Sequence, residues 1–257
     1  MDYWNSSSET THSLYVGSYG RGTEIWTSDI DIIVQLPYST YEKFNAYKNN
    51  GQSALLQEVK GVLQKTYSTS YVKGDGQVIG INFSDGINFE IVPAFINTDG
   101  SYTYPDSNNG GSWRITNPKK EIDAMNSRNK DTNKNLKRLC RMARAWKGNC
   151  NVPMSGILID TLAYKFINDW GYKDKSYLYY DFMSRDFFKY LKELDEDQSY
   201  WLAPGSQRYV WKNGEFHTKA KTAYNNAVSA ISYENGNYSY SAKQKWREIY
   251  GAPVRCS

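Results

Sequence analysis

Apolar positions recur along the chain in two different rhythms. Short, nearly continuous apolar runs at 14–17 and 30–36 read as strands, the second so uniformly apolar that it belongs inside a sheet. Pro37 ends it, having no N–H for a ladder bond. Between 52 and 66, Leu55, Leu56, Val59, Val62 and Leu63 return at the helical period. Strand-like stretches at 71–73, 77–83 and 87–92 follow, separated by Gly74-Asp75-Gly76 and Asp85-Gly86, sequences that favour hairpin turns. Residues 96–117 carry Gly100, Pro105 and Gly110-Gly111 and read as a long irregular connection, with Trp113 as an anchor. Beyond Lys119 the rhythm is helical: 131–148, 157–167, 177–193, 218–232 and 241–249, with a loop at 194–216. Residues 1–12 are polar, with Ser6-Ser7-Ser8 placed as a helix start or a frayed end. The pattern predicts an α+β protein: a mixed-sheet unit at 1–117 and a helical lobe at 118–257.

Composition narrows the setting. At 257 residues the chain can bury a sizeable core. With a mean hydropathy of −0.71, it has no apolar run long enough to span a membrane. The opening residues lack the basic and apolar stretches of a secretion signal, so a cytoplasmic protein with no membrane partner is expected. Cys140, Cys150 and Cys256 are too few and too irregular for a disulfide framework, and with His217 they lack zinc-site spacing. The net charge of +4 excludes no partner class.

The chemistry concentrates in residues 16–36, VGSYGRGTEIWTSDIDIIVQL. Gly17, Gly20 and Gly22 allow close backbone approach to phosphates. Asp29 and Asp31 supply hard oxygen ligands from one face of a strand, roughly 6–7 Å apart. Such a pair could hold one divalent ion, or bridge two ions about 3.5–4 Å apart. It could equally be a solvated strand end. Glu90, in Asn88-Phe89-Glu90-Ile91-Val92, faces the same way as Asn88 and is a third acid, either a metal ligand or a surface residue of an edge strand. In 131–148 an apolar stripe of Leu136, Leu139, Cys140, Ala143 and Trp146 opposes a basic one of Lys134, Lys137, Arg138, Arg141 and Arg144. That basic stripe is either a solvated face or a surface for phosphates, which leaves a nucleic-acid partner open for helix 134–144.

Gly17-Ser18, Arg21-Gly22-Thr23 and Ser28-Asp29-Ile30-Asp31 resemble the active-site signature of the cGAS/DncV-like nucleotidyltransferases, the CD-NTases. The resemblance continues through residues 89–95, 113–118 and 136–166. It implies a polymerase-beta-like nucleotidyltransferase core, a helical second lobe and a nucleotide cleft between them. It also implies synthesis of cyclic di- or oligonucleotide second messengers from nucleoside triphosphates, with an effector reached through the product in anti-phage signalling. The substrates would be ATP or GTP, with pyrimidine nucleotides open. On this resemblance Asp29, Asp31 and Glu90 are the catalytic acids and hold two Mg²⁺ or Mn²⁺ ions, Glu90 standing where the family usually has Asp. Gly17, Ser18 and Arg21 would contact phosphates, joined by Arg144 and Ser155. For Ser155 the alternative is plain helix capping. Two rival functions share these residues: a nucleotidyltransferase acting on protein or tRNA, and a catalytically silent nucleotide- or RNA-binding module.

Overall fold

The computed structural model describes residues 4, 11–26 and 29–252. The polar run at 6–8, Ser28 and Cys256 lie outside the described residues. The chain divides into two compact units, residues 1–22 with 26–122, and residues 23–25 with 123–257.

The first unit is a mixed seven-stranded sheet with helices. In chain order it contains β1 (Ser13–Tyr15), α1 (Gly17–Arg21), β2 (Ile30–Gln35), α2 (Tyr38–Asn45), α3 (Gly51–Thr66), β3 (Tyr71–Asp75), β4 (Val78–Asn82), β5 (Asn88–Ile96), β6 (Tyr102–Asp106) and β7 (Ser112–Thr116). The strand order is β1-β2-β5-β4-β3, with β6 on the far end of β5 and β7 on β6. Among the described residues only β2 and β5 run parallel; the other pairs are antiparallel. Glu90 therefore lies on an interior strand, not an edge. Pro93 is tolerated there because β5 changes partner around it, pairing β4 up to Ile91 and β6 from Phe95. Leu55, Leu56 and Val59 of α3 bury their stripe against Ile79, Ile81, Ile91 and Phe95 of the sheet.

The connection expected at 96–117 is a hairpin. Pro105 hides it from a strand reading, yet β6 pairs β5 only through Tyr102 and Thr103, so the missing N–H falls past that ladder. Asp106 closes the turn by accepting hydrogen bonds from the Asn108 backbone at 3.1 Å, its amide at 2.8 Å and Gln77 at 3.0 Å. These donors hold its carboxyl below the usual range. Trp113 is the expected anchor: its indole donates to Asn45 at 3.0 Å and meets the rings of Tyr41 and Phe95.

The second unit takes in most of α4 (Pro118–Asp131), then α5 (Asn135–Cys150), α6 (Gly156–Asp169), α7 (Tyr180–Lys192), β8 (Tyr200–Leu202), β9 (Tyr209–Trp211), α8 (His217–Asn235) and α9 (Ser239–Tyr250). Every member of the apolar stripe on α5 is buried, packed with Leu158, Ile159 and Leu162 of α6 and Phe187 and Phe188 of α7. The loop expected at 194–216 contains the β8–β9 hairpin. Its two-residue alternation is masked because both faces are apolar: Trp201 and Val210 are buried, while Tyr200, Leu202, Tyr209 and Trp211 are exposed. No helix among the described residues is long and apolar enough to cross a membrane.

Candidate active site

The acids are brought together by strand register. Parallel pairing of β2 with β5 sets Asp31 directly opposite Glu90, and Ile30 opposite Phe89. One step earlier, Asp29 lies at the mouth of β2, exposed, and accepts a hydrogen bond from the Asn88 amide at 3.3 Å. Alternation along both strands puts these four polar side chains on one face.

Asp31 and Glu90 are half-buried, with their carboxyls in hydrogen-bonding contact. Burial raises Asp31 above the ordinary carboxylate range, against the pull of the Glu90 hydrogen bond and the Arg21 charge. Burial also raises Glu90, helped by the negative charges of Asp31, Asp29 and Asp75. Two carboxyls side by side cannot both ionise cheaply without added positive charge. Arg21 is buried and already 3.5 Å from Glu121, so its charge is shared.

The loop from β1 to α1 lies against this pair. The Val16 N–H donates to the Asp31 carbonyl at 2.8 Å, pinning the loop to β2. Gly17 has φ of +58°, and a Cβ placed there would stand 1.7 Å from Asp31 Oδ2. Only glycine fits, by backbone angle and by space. Ser18 follows as the second residue of α1, and Gly22 ends that helix in the left-handed conformation at φ 65°. We expect Gly17→Ala to displace the Asp31 carboxylate and lower turnover by about 10²-fold, the cost of a misplacement of about 1 Å. Retention of wild-type turnover in a folded variant would separate Gly17 from the site.

Hard, partly buried oxygens lacking enough positive charge suit Mg²⁺ or Mn²⁺. Asp31 and Glu90 fit such an ion. Asp29 would join them by leaving Asn88, and among the described residues no three acids already stand grouped to hold a metal.

The two residues expected from the second unit each have partners within it. Arg144 is 6% exposed. It grips Asp160 through two bonds, 2.6 Å to Oδ1 and 3.0 Å to Oδ2, and donates to the Gly156 carbonyl at 3.1 Å. Asp160, fully buried, also accepts from the Thr23 hydroxyl at 2.9 Å. The reason is chemical: a buried acid within an apolar helix needs a cation, and Arg144 is that cation. Ser155 caps α6, its hydroxyl accepting from the Leu158 N–H at 3.3 Å. Three more residues of the basic stripe are also engaged. Arg141 pairs with Glu24 at 3.1 Å, Lys137 donates to Asn126 at 2.6 Å, and Arg138 donates to the Asn133 carbonyl at 3.3 Å.

Sequence reasoning missed three contributors. Glu121 holds Arg21, Asp75 adds charge beside Glu90, and Asp160 claims Arg144. Only Asp160 left a readable signal, as the sole acid within the apolar run Ile157–Ile167 written ILIDTLAYKFI.

The family model described as the Second Messenger Oligonucleotide or Dinucleotide Synthetase domain, SMODS, matches residues 1–129. A probable cyclic nucleotide synthase of Bacillus cereus strain VD146 is 25% identical over 174 residues, covering 63% of this chain and 50% of the relative. The match thus spans about half the length of that curated relative. CdnC of E. coli MS115-1, solved with ATP, superposes with a TM-score of 0.67 at 18% identity, covering 93% of this chain and 83% of that one. Vibrio cholerae DncV, a cyclic AMP-GMP synthase solved with the linear intermediate 5′ pppA(3′,5′)pG, gives a TM-score of 0.74 at 14% identity, covering 94% and 69%. The fold is that of the DncV-like, polymerase-beta-type nucleotidyltransferases, a mixed sheet with helices followed by a helical lobe. The chain belongs to the SMODS family of second-messenger oligonucleotide and dinucleotide synthetases.

Proposed function

We propose that this protein is a metal-dependent nucleotidyltransferase that joins nucleoside triphosphates into a cyclic di- or oligonucleotide, releasing pyrophosphate. The observation that carries the proposal is the Asp31–Glu90 pair on adjacent parallel strands, with Gly17 closing on Asp31 and Asp29 at the strand mouth. ATP in CdnC and the linear intermediate in DncV support nucleoside triphosphates as substrates. Anti-phage signalling through an effector that reads the product is the role this reading gives the protein.

In each transfer a ribose hydroxyl oxygen bonds to the α-phosphorus of a second nucleotide, the bond to pyrophosphate breaks, and the hydroxyl proton leaves. Asp29, Asp31 and Glu90 would hold the divalent ions, whose charge would lower the hydroxyl pKa and stabilise the leaving pyrophosphate. The hydroxyl proton would pass to bulk water; burial raises Asp31 and Glu90 in the absence of metal, and a bound cation would favour their ionised, ligating form. Gly17 keeps the loop close enough for backbone N–H groups to meet phosphate oxygens, with Ser18 beside them. Arg21, held by Glu121, keeps positive charge near Asp31.

Incubating purified protein with all four nucleoside triphosphates and Mg²⁺ or Mn²⁺, beside Asp29→Asn, tests this. The expected outcome is pyrophosphate together with a small, phosphatase-resistant product, both absent with the variant. Label transferred to protein or tRNA, in place of a small product, would replace the proposal with macromolecular modification.

A further inference from the structure

The chain leaves the first unit after Gly22 and returns to it at Trp26; the residues between, Thr23, Glu24 and Ile25, belong to the second unit. Two of them are held there by side chains. Thr23 is fully buried, and its hydroxyl donates to Asp160 Oδ2 at 2.9 Å. Glu24 is gripped twice by Arg141, whose Nε donates to its carbonyl at 3.2 Å and whose Nη2 donates to its carboxylate at 3.1 Å. A threonine buried for packing alone would be as well served by valine, which has the same branch and no hydroxyl to desolvate. Nor does Asp160 need that hydroxyl for charge, since Arg144 already bonds both of its oxygens. The Thr23 bond therefore serves the segment it anchors. That segment ends α1, a helix of only five residues. A helix so short has little stability of its own and takes its place from what holds its ends. The first end is fixed to β2 by the Val16 N–H on the Asp31 carbonyl at 2.8 Å. At the other end Gly22 closes α1 with its N–H on the Ser18 and Tyr19 carbonyls, and Thr23 follows directly. Thr23 stands two residues past Arg21, at most about 7 Å along the chain, which leaves the helix end little slack.

We propose that Thr23 is a positioning residue for the phosphate-binding loop: pinned to Asp160, it fixes the C-terminal end of α1 and so holds Gly17, Ser18 and Arg21 in place for the phosphates of a nucleotide. This rests on the reading of that loop as a nucleotide site. It gives Asp160 and Arg144 a part in binding that requires neither to touch the ligand. Preorganised groups bind without an ordering cost, and a freed helix end would bring that cost back at every encounter.

Thr23→Val removes the hydroxyl and keeps the shape, and Thr23→Ser returns the hydroxyl. Ser184→Ala deletes a different buried hydroxyl of the second unit, one that accepts from Tyr250 at 2.8 Å. Two measurements on the full chain separate positioning from general stability. Hydrogen exchange without nucleotide should quicken about three- to tenfold at the Gly20 and Gly22 amides in Thr23→Val, the worth of one hydrogen bond, and return to the wild-type rate in Thr23→Ser. Binding of α,β-methylene-ATP with Mg²⁺, an analogue whose α–β bridge is not broken by transfer, should weaken by a similar factor in Thr23→Val and recover in Thr23→Ser. Ser184→Ala should lower the urea midpoint and change neither reading. Exchange at 17–22 as slow in Thr23→Val as in the wild type, undiminished analogue binding, no recovery with serine, or equal effects of Ser184→Ala would each overturn the proposal. The exchange arm contains no nucleotide, so a wild-type chain that bound no analogue would count against the synthase reading, while exchange judges the helix clamp separately.

Discussion

Asp31→Asn should lower nucleotide turnover by about 10³-fold or more, the worth of several kcal/mol of charge stabilisation at the reacting phosphate. The same substitution should make the metal-free protein more stable at neutral and alkaline pH. Asp31 and Glu90 are both raised, so the folded chain holds their protons more tightly than the unfolded chain does. Their ionisation carries no penalty below the ordinary carboxylate range, near pH 4. As pH climbs through the raised values, the folded state loses stability relative to the unfolded one. In a chelator, thermal midpoints of the wild type should therefore fall as pH rises above the ordinary range, and Asp31→Asn should flatten that fall. Adding Mg²⁺ should restore the wild type far more than the variant. A variant with wild-type turnover, or an unchanged pH slope together with unchanged response to Mg²⁺, would remove Asp31 from the site.

Asp160→Ala should be the most damaging single change to stability. It leaves the Arg144 guanidinium, 6% exposed, facing a cavity with no anion, and takes an acceptor from Thr23. Breaking one partner out of a buried pair costs about 3–5 kcal/mol, a large part of the roughly 5–15 kcal/mol that holds a typical domain. Replacing both partners by apolar residues, Arg144→Met with Asp160→Leu, should recover most of the loss, because an apolar pair needs no counter-charge. Urea midpoints of the single and double variants measure this. Equal destabilisation by both would mean that shape at the site outweighs charge. If Arg144 instead served phosphates, Arg144→Met with Asp160→Leu would abolish turnover in a folded protein, which gives the same pair of variants a second reading.

The sequence was most legible where chemistry and strand rhythm coincide. Asp29-Ile30-Asp31 entering an apolar run forces both acids to one face, and Asn88-Phe89-Glu90 does the same, so only the pairing of β2 with β5 remained to be learned. That pairing is invisible locally because it joins positions far apart in the chain. Arg144 illustrates a different limit. Helical spacing put it at the flank of the α5 apolar stripe, but only the structure reveals that its partner is Asp160 on the next helix. The β6–β7 and β8–β9 hairpins were hidden for separate reasons, a proline in one and aromatic residues on both faces of the other. Ser28 completes the signature in sequence and lies outside the described residues.

The parallel join between β2 and β5 also sets when the acids can meet. Asp29 and Asn88 are 59 positions apart, and Asp31 and Glu90 share that separation. No hairpin can deliver this contact; the chain must close a long loop, through α2, α3, β3 and β4, before any ladder bond rewards it. The carboxylates are thus expected to meet late in folding, after the local turns and helices are made. A nascent or partly folded chain would hold its acids apart, and the site would wait for the finished sheet.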